Sequence, residues 1–87
     1  MPDAKFNSYL DFKNGTEYAD FMIAHAHAFT VTEFLGAGRY HPHGEYATHD
    51  KAMAALSRIK AVSPKARLLI YALTRHNGRI VSTHVEV

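Results

Sequence analysis

The sequence predicts a small α+β domain in which helices pack on a four-stranded, mostly antiparallel sheet. Three observations lead to this fold class: apolar residues at helical spacing, runs rich in β-branched and aromatic residues, and an Asn-Gly pair between two such runs near the C-terminus. The length fits one domain, which we place over residues 1–87. The elements are predicted in the order α-α-β-β-α-β-β.

Two short helices are predicted near the N-terminus. Residues 6–10 place Phe, Tyr and Leu at the i, i+3, i+4 spacing of one helical face, and Asn14-Gly15 ends this helix. Thr16 suits the N-cap of a second helix, because its hydroxyl can accept a free N–H of the first turn. The apolar face of that helix continues to residue 25.

The first two strands are predicted between residues 29 and 47. Residues 29–35 (Phe-Thr-Val-Thr-Glu-Phe-Leu) are rich in β-branched and aromatic side chains. Residues 36–38 (Gly-Ala-Gly) predict a bulge or a bend, after which the strand continues to residue 41. Residues 41–44 (His-Pro-His-Gly) have the Pro and Gly positions of a type I turn. We therefore expect the chain to reverse there and to return along residues 45–47.

A third helix is predicted between this region and the C-terminal strands. Thr48 suits its N-cap, the helix runs to about residue 61, and Ser63-Pro64 ends it. The residues of its inward stripe are Ala52, Met53, Leu56 and Ile59. The alanines of this helix allow it to lie close to a sheet.

The clearest predicted element is a C-terminal hairpin around Asn77-Gly78. A type I′ turn needs positive φ at both central residues, and Asn-Gly provides this most readily. The two-residue turn also fixes the register of the strands. On the better core face, the expected pairs are Thr74 with Val81, Ala72 with Thr83, and Ile70 with Val85.

The other face of this hairpin is only half apolar, and it needs partial cover. Its apolar residues are Leu69, Tyr71, Leu73 and Ile80. An apolar patch that the chain itself leaves open is typical of a protein-binding surface. We predict that these four residues contact another protein, with a homodimer as the expected assembly.

The seven histidines are the most distinctive chemical feature of the chain. Histidine is the commonest metal-binding side chain, so His41, His43 and His49 are candidate ligands for a transition metal, although their spacing matches no named motif. His25 and His27 do not form a metal pair, because residues two apart on a helix point about 200° apart. We expect His25 to be half-buried on the apolar helix face and His27 to be exposed.

No catalytic motif is visible in the sequence. The chain has no cysteine, which excludes disulfides, thiolate metal sites and cysteine nucleophiles. Residues 36–38 lack the third glycine and the following helix of a dinucleotide-binding loop, and no Gly-x-Ser-x-Gly elbow occurs. We therefore predict a non-enzymatic protein with no catalytic residue and no cofactor other than the possible metal.

Charge is distributed unevenly along the chain. Residues 1–45 carry three Lys or Arg against six Asp or Glu, whereas residues 46–87 carry seven against two. A basic half suits contact with the phosphates of nucleic acid, although no RRM-like or KH-like motif appears. The residues for this alternative are Lys51, Arg58, Lys60, Lys65 and Arg67.

The function that the sequence favours is that of a small binding or regulatory module acting through protein–protein interaction. Nucleic-acid binding, transition-metal binding and inhibition of a larger machine, as by a phage-encoded protein, are the alternative hypotheses. No apolar run approaches the ~20 residues of a membrane-spanning helix, and no secretory signal is visible. We therefore expect a cytoplasmic protein that does not bind membranes. A bacterial or phage origin is expected from the small size and the lack of a recognisable motif.

Overall fold

A computed structural model describes residues 15–86 as two helices and one four-stranded antiparallel sheet. The elements are α1 (Gly15–Ala24), β1 (Ala28–Gly36), β2 (Arg39–Tyr46), α2 (His49–Val62), β3 (Arg67–His76) and β4 (Arg79–Val85). This confirms the α+β fold class. The helix predicted over residues 6–10 lies outside the described residues, and α1 begins at Gly15, one residue before the predicted cap.

The sheet is formed by two hairpins joined through α2. The strand order is β2-β1-β3-β4, and each neighbouring pair is antiparallel. Strands β2 and β3 both pair with β1, so α2 carries the chain across β1 from one side to the other. This arrangement puts β1 and β3 in the centre and leaves β2 and β4 as the two edge strands.

The core lies between one face of the sheet and the helices. Val31 and Ile70, which are paired across β1 and β3, are fully buried in it. Ala52 and Ala55 are buried on α2, so this helix approaches the sheet closely. The predicted inward stripe of α2 is confirmed, because its larger members pack against the same cluster. The predicted N-cap is also confirmed: the Thr48 side chain accepts the Lys51 N–H at 3.2 Å.

Helix α1 is held on the same side of the sheet as α2. Met22 of α1 is fully buried, and its carbonyl accepts a hydrogen bond from the hydroxyl of Thr74, which is also fully buried. Thr74 shares its side of β3 with the core residues Ile70 and Ala72, because strand residues two apart point to the same face. The hydrogen bond therefore anchors α1 to the core face.

The C-terminal hairpin has the predicted turn and register. The ladder pairs Thr74 with Val81, Ala72 with Thr83 and Ile70 with Val85. Asn77 and Gly78 have φ values of 51° and 74°, as a type I′ turn requires.

The first hairpin reverses at a different place from the one predicted. The turn is Ala37-Gly38, where φ is 53° and 72°, and Gly36 pairs with Arg39. Residues 41–44 are not a turn but lie within β2, where His43 is an extra residue between the pairs of Val31 and Thr32. The prediction of a reversal at residues 41–44 was wrong because a proline fits equally well on an edge strand, where no outward N–H is required.

Candidate functional site

The sheet face opposite the helices carries the candidate site, which we call the open face. Alternation along the strands brings side chains from all four strands to it. Six residues line a shallow depression of about 350 Å³ on this face: Thr30, Thr32, Tyr40, Tyr71, Leu73 and Ser82. Both described helices lie on the opposite face, so within residues 15–86 this depression remains accessible.

The four residues predicted to bind a partner are on this face. Leu69, Tyr71 and Leu73 are each partly exposed, and the Ile80 side chain is 50% exposed. Their grouping follows from the confirmed register, which pairs Tyr71 with His84 across β3 and β4. The two rings meet edge to face, with their centroids 5.7 Å apart. The four residues therefore share one face, on which Tyr71 and Leu73 line the depression, whereas Leu69 and Ile80 lie towards opposite ends of β3. Their role in binding stays a prediction.

Tyr40 is a member of the open face that the sequence prediction did not include. Its side chain is 54% exposed and contacts the ring of Phe34 at a centroid distance of 5.3 Å. The sequence prediction placed the turn at residues 41–44 and therefore did not pair Tyr40 with β1. Its pairing with Phe34 follows from the reversal at Ala37-Gly38. The Gly-Ala-Gly sequence was the signal that pointed to a reversal there.

The surface chemistry of the depression is uncharged and mixed. All six lining side chains are neutral, and hydroxyl groups from Thr, Tyr and Ser surround the apolar body of Leu73. Tyrosine combines an apolar ring with one hydrogen-bonding group, which is why it is enriched in protein interfaces. This arrangement can bury apolar area while satisfying a few polar groups of a partner.

The candidate metal ligands are only partly brought together. The rings of His41 and His43 have centroids 4.9 Å apart, whereas His49 packs edge to face against Phe29 at 5.7 Å. Nε2 of His43 lies 2.9 Å from Oε1 of Glu33, so this imidazole already has a protein partner. In the described part of the chain, no three His, Asp or Glu side chains form a group suited to a metal ion.

The Glu33–His43 pair was missed by the sequence analysis. Glu33 lies on the same side of β1 as Val31 and is partly buried. Because a buried carboxylate is costly without a hydrogen bond, it needs a polar partner there. Its partner could not be identified because the bulge at His43 determines which β2 side chain reaches it. The pair joins the edge strand β2 to the central strand β1.

The expected environments of His25 and His27 are reversed in the structure. His25 is exposed, and its ring stacks on Phe21 at a centroid distance of 4.2 Å with Nδ1 2.9 Å from the Phe21 carbonyl oxygen. His25 lies one residue beyond the end of α1 at Ala24, and although its N–H still bonds to the Phe21 carbonyl, its ring packs on Phe21 at the surface and not in the core. His27 is partly buried, and its Nδ1 is buried without a hydrogen-bond partner among residues 15–86.

The candidate nucleic-acid residues are spread along α2 and the segment that follows it. Lys51 is in the first turn and Lys60 in the last turn of α2, about 14 Å apart along the axis. The Lys60 ammonium donates to the carbonyls of Pro64 and Ala66, which closes the end of the helix. The exposed Arg58 is on the same helix. Lys65 and Arg67 line a separate surface depression beside the end of β1. Phosphate binding by this set stays a prediction.

Comparison with protein-family models, curated proteins and solved structures finds no match for this chain. Among the described residues, neither helix is long and apolar enough to cross a membrane.

Proposed function

We propose that this protein is a non-enzymatic binding module that acts through protein–protein interaction, with the open face as its contact surface. One observation carries the proposal: an uncharged depression of about 350 Å³ lies on a sheet face that neither described helix covers. Leu69, Tyr71, Leu73 and Ile80 are the proposed contact residues, and Tyr40 extends the surface towards the edge of β2.

The size and rigidity of this face support the proposal. Four strands spaced ~4.8 Å apart form a surface about 19 Å wide, and β3 extends about 30 Å along it. A surface of this size is comparable with the ~800 Å² that each partner buries in a standard protein interface. The strands beneath it are fixed by the core on the other side, so binding requires little ordering of the backbone.

The proposal is tested by site-specific photo-crosslinking in the native cells. A photoreactive phenylalanine analogue replaces Tyr71 in one variant and Ser57, which is exposed on α2, in a matched control. We expect position 71 to form a discrete protein adduct that position 57 does not form. The protein in this adduct should bind the wild type when both are purified. Its affinity for Leu73→Glu should be at least about tenfold lower, and its affinity for Ser57→Glu should be unchanged.

Identical adducts from both positions would contradict the proposal. The absence of any adduct from position 71, with the variant folded and expressed, would contradict it as well. Circular dichroism of both variants controls for folding.

A further inference from the structure

The two edges of the sheet differ in a way that points to a second interaction surface. At the outer edge of β2, Pro42 has no N–H and the bulge at His43 breaks the regular strand. Both features prevent another strand from adding to an edge. The seven residues of β4 contain neither a proline nor a bulge, and within residues 15–86 no strand pairs with its outer side.

The register of the hairpin identifies the backbone groups at the free edge of β4. His76 and Arg79 flank a two-residue turn, so this pair exchanges both of its hydrogen bonds inside the hairpin. Every second residue after Arg79 then directs its N–H and C=O outwards. These residues are Ile80, Ser82 and His84.

We propose that a second copy of this chain binds at this edge through antiparallel pairing of β4 with β4, about a two-fold axis at Ser82. This register places Ser82 opposite Ser82 of the other copy and Ile80 opposite His84. It uses all the outward groups of β4 and joins the two sheets into one of eight strands. The edge contact is made by backbone groups of β4, whereas the proposed function uses side chains on the open face, so the inference does not depend on the proposed function.

Charge complementarity selects the second copy as the occupant. Arg79 begins β4, and Glu86 follows its end, so antiparallel pairing brings opposite charges together at both ends of the interface. In this register Arg79 of one copy lies opposite Val85 of the other, on the side of the sheet that carries α1. A groove of about 540 Å³ lies there between α1 and the end of β4, and its two carboxylates are Asp20 and Glu86.

The first test is the oligomeric state of purified protein, measured by sedimentation equilibrium. We expect a dimer at high micromolar concentration and a loss of at least about tenfold in dimer affinity for Ser82→Pro, which removes an outward N–H in the way that Pro42 does on β2. Ser82→Ala keeps this N–H and is the matched control, which should dimerise like the wild type.

The charge contact is tested by reversal and rescue. Asp20→Lys combined with Glu86→Lys should weaken the dimer by at least about tenfold, because it places like charges opposite Arg79. Adding Arg79→Glu to that variant should restore dimerisation. Failure of this rescue in a folded triple variant would overturn the assigned register.

Amide hydrogen exchange of the wild type provides a readout that requires no variant to fold. The outward amides of Ile80, Ser82 and His84 should gain protection as the concentration increases, whereas the inward amides of Val81 and Thr83 should be protected at every concentration.

A protein that stays monomeric at high micromolar concentration would overturn the proposal. Concentration-independent protection of the outward amides would also overturn it, since another segment of the same chain would then occupy the edge. If Tyr71→Glu dissociates the dimer and Ser82→Pro does not, the edge contact is wrong. That result would instead support dimerisation through the open face.

Discussion

At the scale of single residues, one buried hydrogen bond connects parts of the chain that are far apart in sequence. The Thr74 hydroxyl donates to the carbonyl of Met22, and both residues are fully buried. The carbonyl lies near the end of α1, where the last turn leaves backbone acceptors without helical partners. A side chain of β3 therefore satisfies a helix end and positions α1 on the core.

Thr74→Val tests the contribution of this bond. Valine keeps the shape of threonine but leaves the Met22 carbonyl without a donor inside the core. We expect the free energy of unfolding to fall by about 1–3 kcal/mol. Thr32→Val is the matched control, because Thr32 lies on the open face, and its effect should be within about 0.5 kcal/mol. Urea denaturation of both variants measures the difference, and equal effects would show that the hydrogen bond does not anchor α1.

At the scale of secondary-structure elements, the sequence correctly predicted the features that depend on neighbouring residues, namely a turn and a helix cap. The Asn77-Gly78 turn set the register of β3 and β4, and the Thr48 cap set the start of α2. The first hairpin was not predicted correctly, because two turn signals lay close together and only the Gly-Ala-Gly one is a turn. The Glu33–His43 contact was therefore also missed, since it depends on a bulge that the sequence pattern does not reveal.

The turn of the first hairpin contains an unfavourable residue. Ala37 has a φ of 53°, a region that costs a residue with Cβ roughly 1–2 kcal/mol, whereas asparagine tolerates it better. Ala37→Asn reproduces the Asn-Gly turn of the second hairpin and should stabilise the protein by about 0.5–1 kcal/mol. Ala47→Asn, at an exposed position beyond β2, is a control with no expected gain. An unchanged or lower midpoint in thermal denaturation of Ala37→Asn would contradict a type I′ turn at this position.

At the scale of the whole molecule, the fold concentrates its core on one side of the sheet. Both described helices pack on the face that carries Val31 and Ile70, and the opposite face retains partly exposed Leu and Tyr side chains. Strand alternation made the face of each β3 and β4 residue predictable from the C-terminal register, whereas Tyr40 of β2 was not predicted because it depends on the first hairpin. What occupies the open face was not predictable, because an interface depends on the surface of a partner.

The central claim is that the open face is a binding surface and not part of the core. The most direct test is the free energy of unfolding of two variants at adjacent positions of β3, Ile70→Glu and Tyr71→Glu, measured by urea denaturation at neutral pH. Ile70 is fully buried, so a carboxylate there should cost about 3–5 kcal/mol or prevent folding. Tyr71 is partly exposed beside the depression, so Tyr71→Glu should remain folded and lose no more than about 1 kcal/mol. If Tyr71→Glu unfolds as readily as Ile70→Glu, the open face is part of the core and the proposed function is wrong.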